Sequence, residues 1–258
     1  MQWSTLFQKE LLENWRNKKW IWVPLVIILL SIMDPITNYY LPQIIESVGG
    51  MPDGTEITLP EFEPPEVVMM SLSQLSSLGV LIIVLLSMGS ISGERKSGVS
   101  ELVLVKPVSY SNYITSKWAS LLLLVWISLF LGLLTSWYYT NILFGSLAFI
   151  DFLKVYFFYG LWLTFVVSLS ILYNTLFKSA GLVAFFTILT IMVMSILTQI
   201  FKHIIEWSPN SLSDYILEML TTDKMPTDLL ATAGITIIIS ILVLLVSIQI
   251  FKTKELAN

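Results

Sequence analysis

The chain has 258 residues, 55% of them hydrophobic and 12% charged, with a mean hydropathy of +0.79, a composition far from that of a water-solvated domain. A net charge of -4 excludes the basic excess on which nucleic-acid binding rests. No cysteine and a single histidine, His203, exclude disulfides, a cysteine nucleophile and a thiolate or histidine-cluster metal site.

A bilayer core roughly 30 Å thick takes about 20 apolar residues per helix, so this length suits one all-α membrane domain of six spans over residues 20–258. Residues 1–19 come first. They set Trp3, Leu6, Phe7, Leu11 and Trp15 at helical spacing against Lys9, Glu13 and Arg16, which predicts an amphipathic helix in the interface plane. Glu10 and Leu12 blur that pattern, and a helix that merely leads into the first span is the plainer reading.

The first span is expected from Trp20 to Leu41, broken late by Asp34-Pro35. A signal peptide is the rival reading of this run, but about twenty residues is a long leading region and no small-residue cleavage site follows. The segment from Pro42 to Val67 holds Pro52, Pro60, Pro64 and Pro65 with three glycines and six carboxylates, which favours irregular chain. Five further spans follow: Leu72 to Ser90, Trp118 to Tyr138, Phe152 to Tyr173, Gly181 to Phe201 and Leu229 to Phe251. Residues 202–228 mix apolar and acidic positions, as short helices on the outer surface do.

Eleven of the fourteen basic residues fall in the N-terminal segment, between spans two and three, between four and five, and after six; only Lys154, Lys202 and Lys224 fall on the other side. The bias places both termini in the cytoplasm and the acidic loop outside.

Chemistry is sparse. Asp34 is the one acid well inside a span, read either as a pathway contact in the bundle interior or as a polar residue at a bend. No pair of carboxylates at one depth, no Ser/His/Asp set and no G-x-x-x-x-G-K-[ST] loop occurs, so ATP would have to be bound by another polypeptide. Residues 91–117 are the informative stretch. A charged Gly93-Glu94-Arg95-Lys96-Ser97-Gly98 turn is followed by apolar Leu102, Val103 and Leu104, and Pro107 breaks the chain before Ser109 caps the next helix. A solvated loop has little reason to carry such residues, so a short helix that docks in a partner's groove is the economical reading, with packing on the membrane surface as the plainer one.

Glu94-Arg95-x-x-Gly98, Leu102, Pro107-Val108-Ser109, Tyr113 and Lys117, placed after span two of six, resemble the pattern of ABC-2 type transporter permeases. Tyr110 departs from it, where the family often has a basic residue. The resemblance implies a permease subunit of an ATP-driven exporter, paired with a second permease chain and with two copies of a cytoplasmic ABC ATPase. That partner would bind ATP and Mg²⁺, and this chain would hold no cofactor and no metal. It implies further that Glu94 and Arg95 make polar contacts at the coupling to the ATPase, with Gly98, Leu102, Val103, Leu104 and Pro107 shaping the docking segment. An ion-coupled secondary transporter, or a membrane scaffold or enzyme, is the alternative. The first would be favoured by paired intramembrane acids or broken-helix repeats, neither of which the sequence contains.

Overall fold

The computed structural model describes residues 2–47, 62–99 and 108–256. Among them every regular element is helical: α1 (Gln2–Arg16), α2 (Lys19–Ser47), α3 (Pro64–Gln74), a π turn at Leu75–Gly79, α4 (Val80–Ser87), α5 (Ser92–Lys96), α6 (Tyr110–Leu143), α7 (Phe149–Leu176), α8 (Ala180–Ile200), a 3₁₀ turn at Pro209–Ser211, α9 (Leu212–Thr222) and α10 (Thr227–Leu256). Six stretches are long and apolar enough to cross a membrane: Lys19–Ile45, Pro64–Lys96, Tyr110–Leu143, Phe149–Leu176, Ala180–Ile200 and Thr227–Lys254.

The helices outrun the spans expected from the sequence. At 1.5 Å per residue the 34-residue α6 is about 51 Å long, well beyond a hydrocarbon core. Its first two turns, Tyr110 to Lys117, precede the apolar run expected from Trp118 to Tyr138. Pro64 and Pro65, expected in irregular chain, instead open α3 at the positions where a missing N–H costs nothing, and Glu63 and Glu66 close a reciprocal capping box.

Asp34-Pro35 does not break the first span either. Helix α2 runs unbroken through Pro24, Pro35 and Pro42. Pro35 deprives the Ser31 carbonyl of its helical donor, and the Ser71 hydroxyl from α3 donates to that carbonyl at 2.8 Å. The same hydroxyl meets Ser136 Oγ of α6 at 2.9 Å. A neighbouring helix thus restores the bond that proline removes, which is how apolar spans tolerate it. Close approach of α2 and α6 needs Gly132, where an added Cβ would lie 2.7 Å from Ile27 Cγ2 and 2.8 Å from Ser31 Oγ.

Helix α7 is the axis of the bundle, buried over 78% of its apolar window, whereas α8 is buried over only 22% and turns most of its side chains outward. Trp118 and Trp126 of α6 donate to Ser168 and Thr164 of α7 at 2.9 and 3.1 Å, and Ser87 of α4 meets Ser170 of α7 at 2.7 Å. Hydroxyl and indole groups rather than charges stitch the membrane layer. Residues 201–222 fold back as turns and α9, whose Leu212, Ile216 and Met219 are buried.

Candidate functional site

The chemistry-bearing side chains gather at the end of the bundle where α1, α5, the start of α6 and the ends of α7 and α10 meet. Lys117 of α6 is 2% exposed, and its ammonium lies 2.9 Å from Glu10 Oε1 of α1 and 3.0 Å from Glu94 Oε1 of α5. Lys9 completes the cluster, 2.8 Å from Glu94, 3.1 Å from Glu10 and 3.6 Å from Glu13. The Tyr113 hydroxyl donates to the other Glu94 oxygen, and its ring lies beneath the Lys117 ammonium at 5.2 Å. Burial alone would lower the Lys9 pKa, but the bonds and charges of Glu94 and Glu10 outweigh it and raise it. Buried charges persist only where every member is paired, and here each ammonium has two or more carboxylates.

Helix α1 is docked through polar residues. Its buried residues are polar, Glu10 and Asn14, and Asn14 Nδ2 donates to Ser120 of α6 at 2.9 Å. Its exposed residues include Leu12 and Trp15. The two buried positions of the helix are thus polar, while Leu6, Phe7 and Leu11 are partly buried and Trp3, Leu12 and Trp15 are exposed among polar residues. Glu10, which seemed to spoil the pattern, is the residue that docks it.

Arg95 turns the other way. It is 8% exposed, donates from Nη1 to the Thr175 carbonyl at 3.0 Å, and lies over the Phe251 ring of α10 at 5.7 Å. Lys254 Nζ takes the next carbonyl, Leu176 O, at 2.7 Å. Two cations thereby satisfy orphan carbonyls at the negative end of α7. The turn between α4 and α5 is held by Asn174, whose Oδ1 accepts from the N–H groups of Ile91 and Ser92 at 3.2 and 3.1 Å while Nδ2 donates to Ser87 O and Ser170 O.

Gly98 follows α5 with φ +75°, the left-handed conformation that ends a helix and that glycine adopts freely. At the far side of the segment Ser109 Oγ accepts from Asn112 N and starts α6. Leu102, Val103, Leu104 and Pro107 lie outside the described residues. Asp34 is remote from the cluster, partly exposed, and meets no hydrogen-bond or ion-pair partner among the described residues. Glu94 and Arg95, expected to contact a partner, both turn into this chain's own helices.

Sequence reasoning missed Lys9, Glu10, Asn174, Thr175 and Phe251 as members of this site. The break that Glu10 makes in the α1 pattern was the available signal for one of them. Glu10, Glu13 and Glu94 bring three carboxylates within 4.8 Å of one another, as a cation site would. Lys9 and Lys117 supply the positive charge there, so the donor set does not fit a metal ion. What the arrangement can do is mechanical: it ties the end of one span to α1 and α6 through Glu94, and to α7 and α10 through Arg95.

The comparisons agree on the kind of molecule. A family model described as "ABC-2 family transporter protein" matches residues 4–256. The chain is also similar to an uncharacterized transmembrane protein of Bacillus subtilis (strain 168), YxlG, with 33% identity over 204 residues that cover 79% of each chain. With six membrane-crossing helices and a family match over nearly its whole length, the chain belongs to the ABC-2 family of transporter proteins, as a multi-pass membrane component.

Proposed function

We propose that the chain is the permease subunit of an ATP-driven exporter in the cell membrane, with both termini cytoplasmic, moving substrate by alternating access. Energy comes from a separate ABC ATPase that binds ATP and Mg²⁺, in a complex of two permease chains and two ATPases. The observation that carries this reading is the double anchoring of the segment between spans two and three. One end is fixed by Glu94 and Arg95 to four helices, and the other by the Ser109 cap to α6.

A pull on either flank of residues 99–108 would be felt by α1, α6, α7 and α10, the helices to which Glu94, Arg95 and Ser109 are tied. Leu102, Val103 and Leu104 are the apolar face that enters the ATPase groove, and Pro107 separates that face from α6. Glu94 and Arg95 serve coupling as braces, acting through their own helices. Helix α1 lies in the cytoplasmic interface with Leu12 and Trp15 toward lipid. Asp34 is either a contact on the substrate path or an intramembrane polar residue of α2.

Two experiments test the scheme. Leu102→Asp places an unpaired charge in the docking face, which costs several kcal/mol unless the contact opens. The variant chain is expected to insert and stay folded in detergent, while its ATPase partner co-purifies poorly or hydrolyses ATP without transport. Unchanged pull-down and unchanged vesicle transport would remove the docking role. Cysteines placed singly at Gly54 and Ser97 of this cysteine-free chain should react with an impermeant reagent in intact cells only at position 54. Reaction at 97 without lysis would reverse the orientation.

A further inference from the structure

Between α1, the start of α2, the end of α4 and the start of α6 lies a cavity of about 250 Å³. Its lining is of two kinds: charged Glu10, Glu13, Lys19 and Lys117, and apolar Leu86 and Leu121. Trp22 and Leu85 also line it and are 39% and 49% exposed, so the cavity borders the lipid-facing surface of the bundle. Two of its polar groups have no direct hydrogen-bond or ion-pair partner among the described residues, and Glu13 and Glu10 act on one of them, Lys19, only through their charge. Lys19 makes no hydrogen bond or ion pair with any described residue, although it is partly buried. The Ser90 hydroxyl oxygen is buried without a hydrogen-bond partner. Such groups are costly unless something meets them.

The charges are unevenly committed. Lys117 is saturated by Glu10 and Glu94, whereas Glu13 has a single contact, 3.6 Å to Lys9. The cavity thus offers one open cation and one under-used carboxylate beside apolar wall. A simple anion would meet Lys19 but also the repulsion of Glu10 and Glu13, while a ligand with separated opposite charges and no net charge suits both. We propose that this cavity holds the headgroup of a membrane phospholipid bearing a phosphodiester and a primary ammonium, the phosphate against Lys19 and the ammonium against Glu13. The glycerol and upper acyl chains then lie along Leu85, Leu86 and Leu121, and Trp22 stands at the interface where indoles prefer to lie. The lipid would fill the wedge between α1 and α4, the two elements that carry Glu10 and lead to Glu94.

The test uses the purified full chain, loaded with equal amounts of phosphatidylethanolamine, phosphatidylcholine and phosphatidylglycerol, and reads retained lipid by native mass spectrometry. Phosphatidylethanolamine should be retained about tenfold over each of the others, ~1.4 kcal/mol. Lys19→Gln and Glu13→Gln should each remove that preference, and Lys19→Arg should keep it. Gly89→Leu obstructs the same cavity without altering a charge, since a Cβ at position 89 meets nothing within 4 Å. It should abolish retention in a chain that remains monodisperse. Equal retention of the three lipids, or retention indifferent to Lys19→Gln and Gly89→Leu, would overturn the proposal. Competition by soluble glycerophosphoethanolamine as effective as by the lipid would overturn the lipid source.

Discussion

The two ends of the helix bundle use the same residue types to opposite effect. Where α1, α5 and α6 meet, Lys117 is 2% exposed and joins Glu10 and Glu94, which lie 107 and 23 residues before it in the chain. At the other end Lys202 and Asp214 face each other at 2.7 Å but are 70% and 58% exposed, and Lys154 meets Asp151 three residues before it on one helix. The difference is solvent. An ion pair in water is screened and adds little to stability, whereas a buried cluster makes each member indispensable to the others. The buried cluster ties separate helices to one another, whereas the Lys202–Asp214 pair lies in solvent and the Lys154–Asp151 pair, 30% and 19% exposed, stays within one helix.

The comparison breaks most sharply at Lys117. Lys117→Met should leave Glu94 and Glu10 underpaired and destabilise the chain by about 3–5 kcal/mol, measured as loss of the folded fraction in a denaturant titration in mixed micelles. Adding Glu94→Gln to it should recover part of that loss, because the orphaned charge is gone. A single variant as stable as the parent would mean that the cluster is solvated after all.

Between the two ends, packing rather than charge sets the scale. Gly132→Ala puts a methyl group against Ile27 and Ser31 and should cost about 1–3 kcal/mol by pushing α2 off α6. A thermal-melt series at Gly132 with Ala and Ser should fall in order of size, and an unchanged melting temperature would show that α2 yields freely. The smallest effect belongs to the exposed pair. Lys202→Ala should change stability by no more than ~1 kcal/mol, and the Lys202 pKa, raised by its bond to Asp214, should return toward its ordinary value in Asp214→Asn when followed by NMR.

Legibility in the sequence followed the range of the interactions. Six spans were readable because apolar length is a local property of about 20 residues. Their ends were not, since α6 continues for two turns beyond its apolar run on the strength of Tyr113 and Lys117 contacts made with other helices. Pro35 was read as a break because the donor that repairs it, Ser71, comes forty residues from the carbonyl it serves. Ser109 was legible as a helix start, for a cap acts on its own turn, whereas residues 93–98 were read as a turn and instead carry α5 through Lys96, ahead of Gly98. Glu94 was singled out in the sequence, but the partners it meets were not, because Lys9 and Lys117 lie 85 and 23 residues away along the chain.

The tie between Glu10 and Lys117 also imposes an order in time. Glu10 leaves the ribosome 107 residues before its partner does, which at about 5–20 residues per second is an interval of about 5–20 s. Throughout it the carboxylate of Glu10 has no buried ammonium to accept it, so it must stay in contact with water. Helix α1 is thus held at the wet surface until the third span begins to emerge, and its docking waits for the first turns of that span.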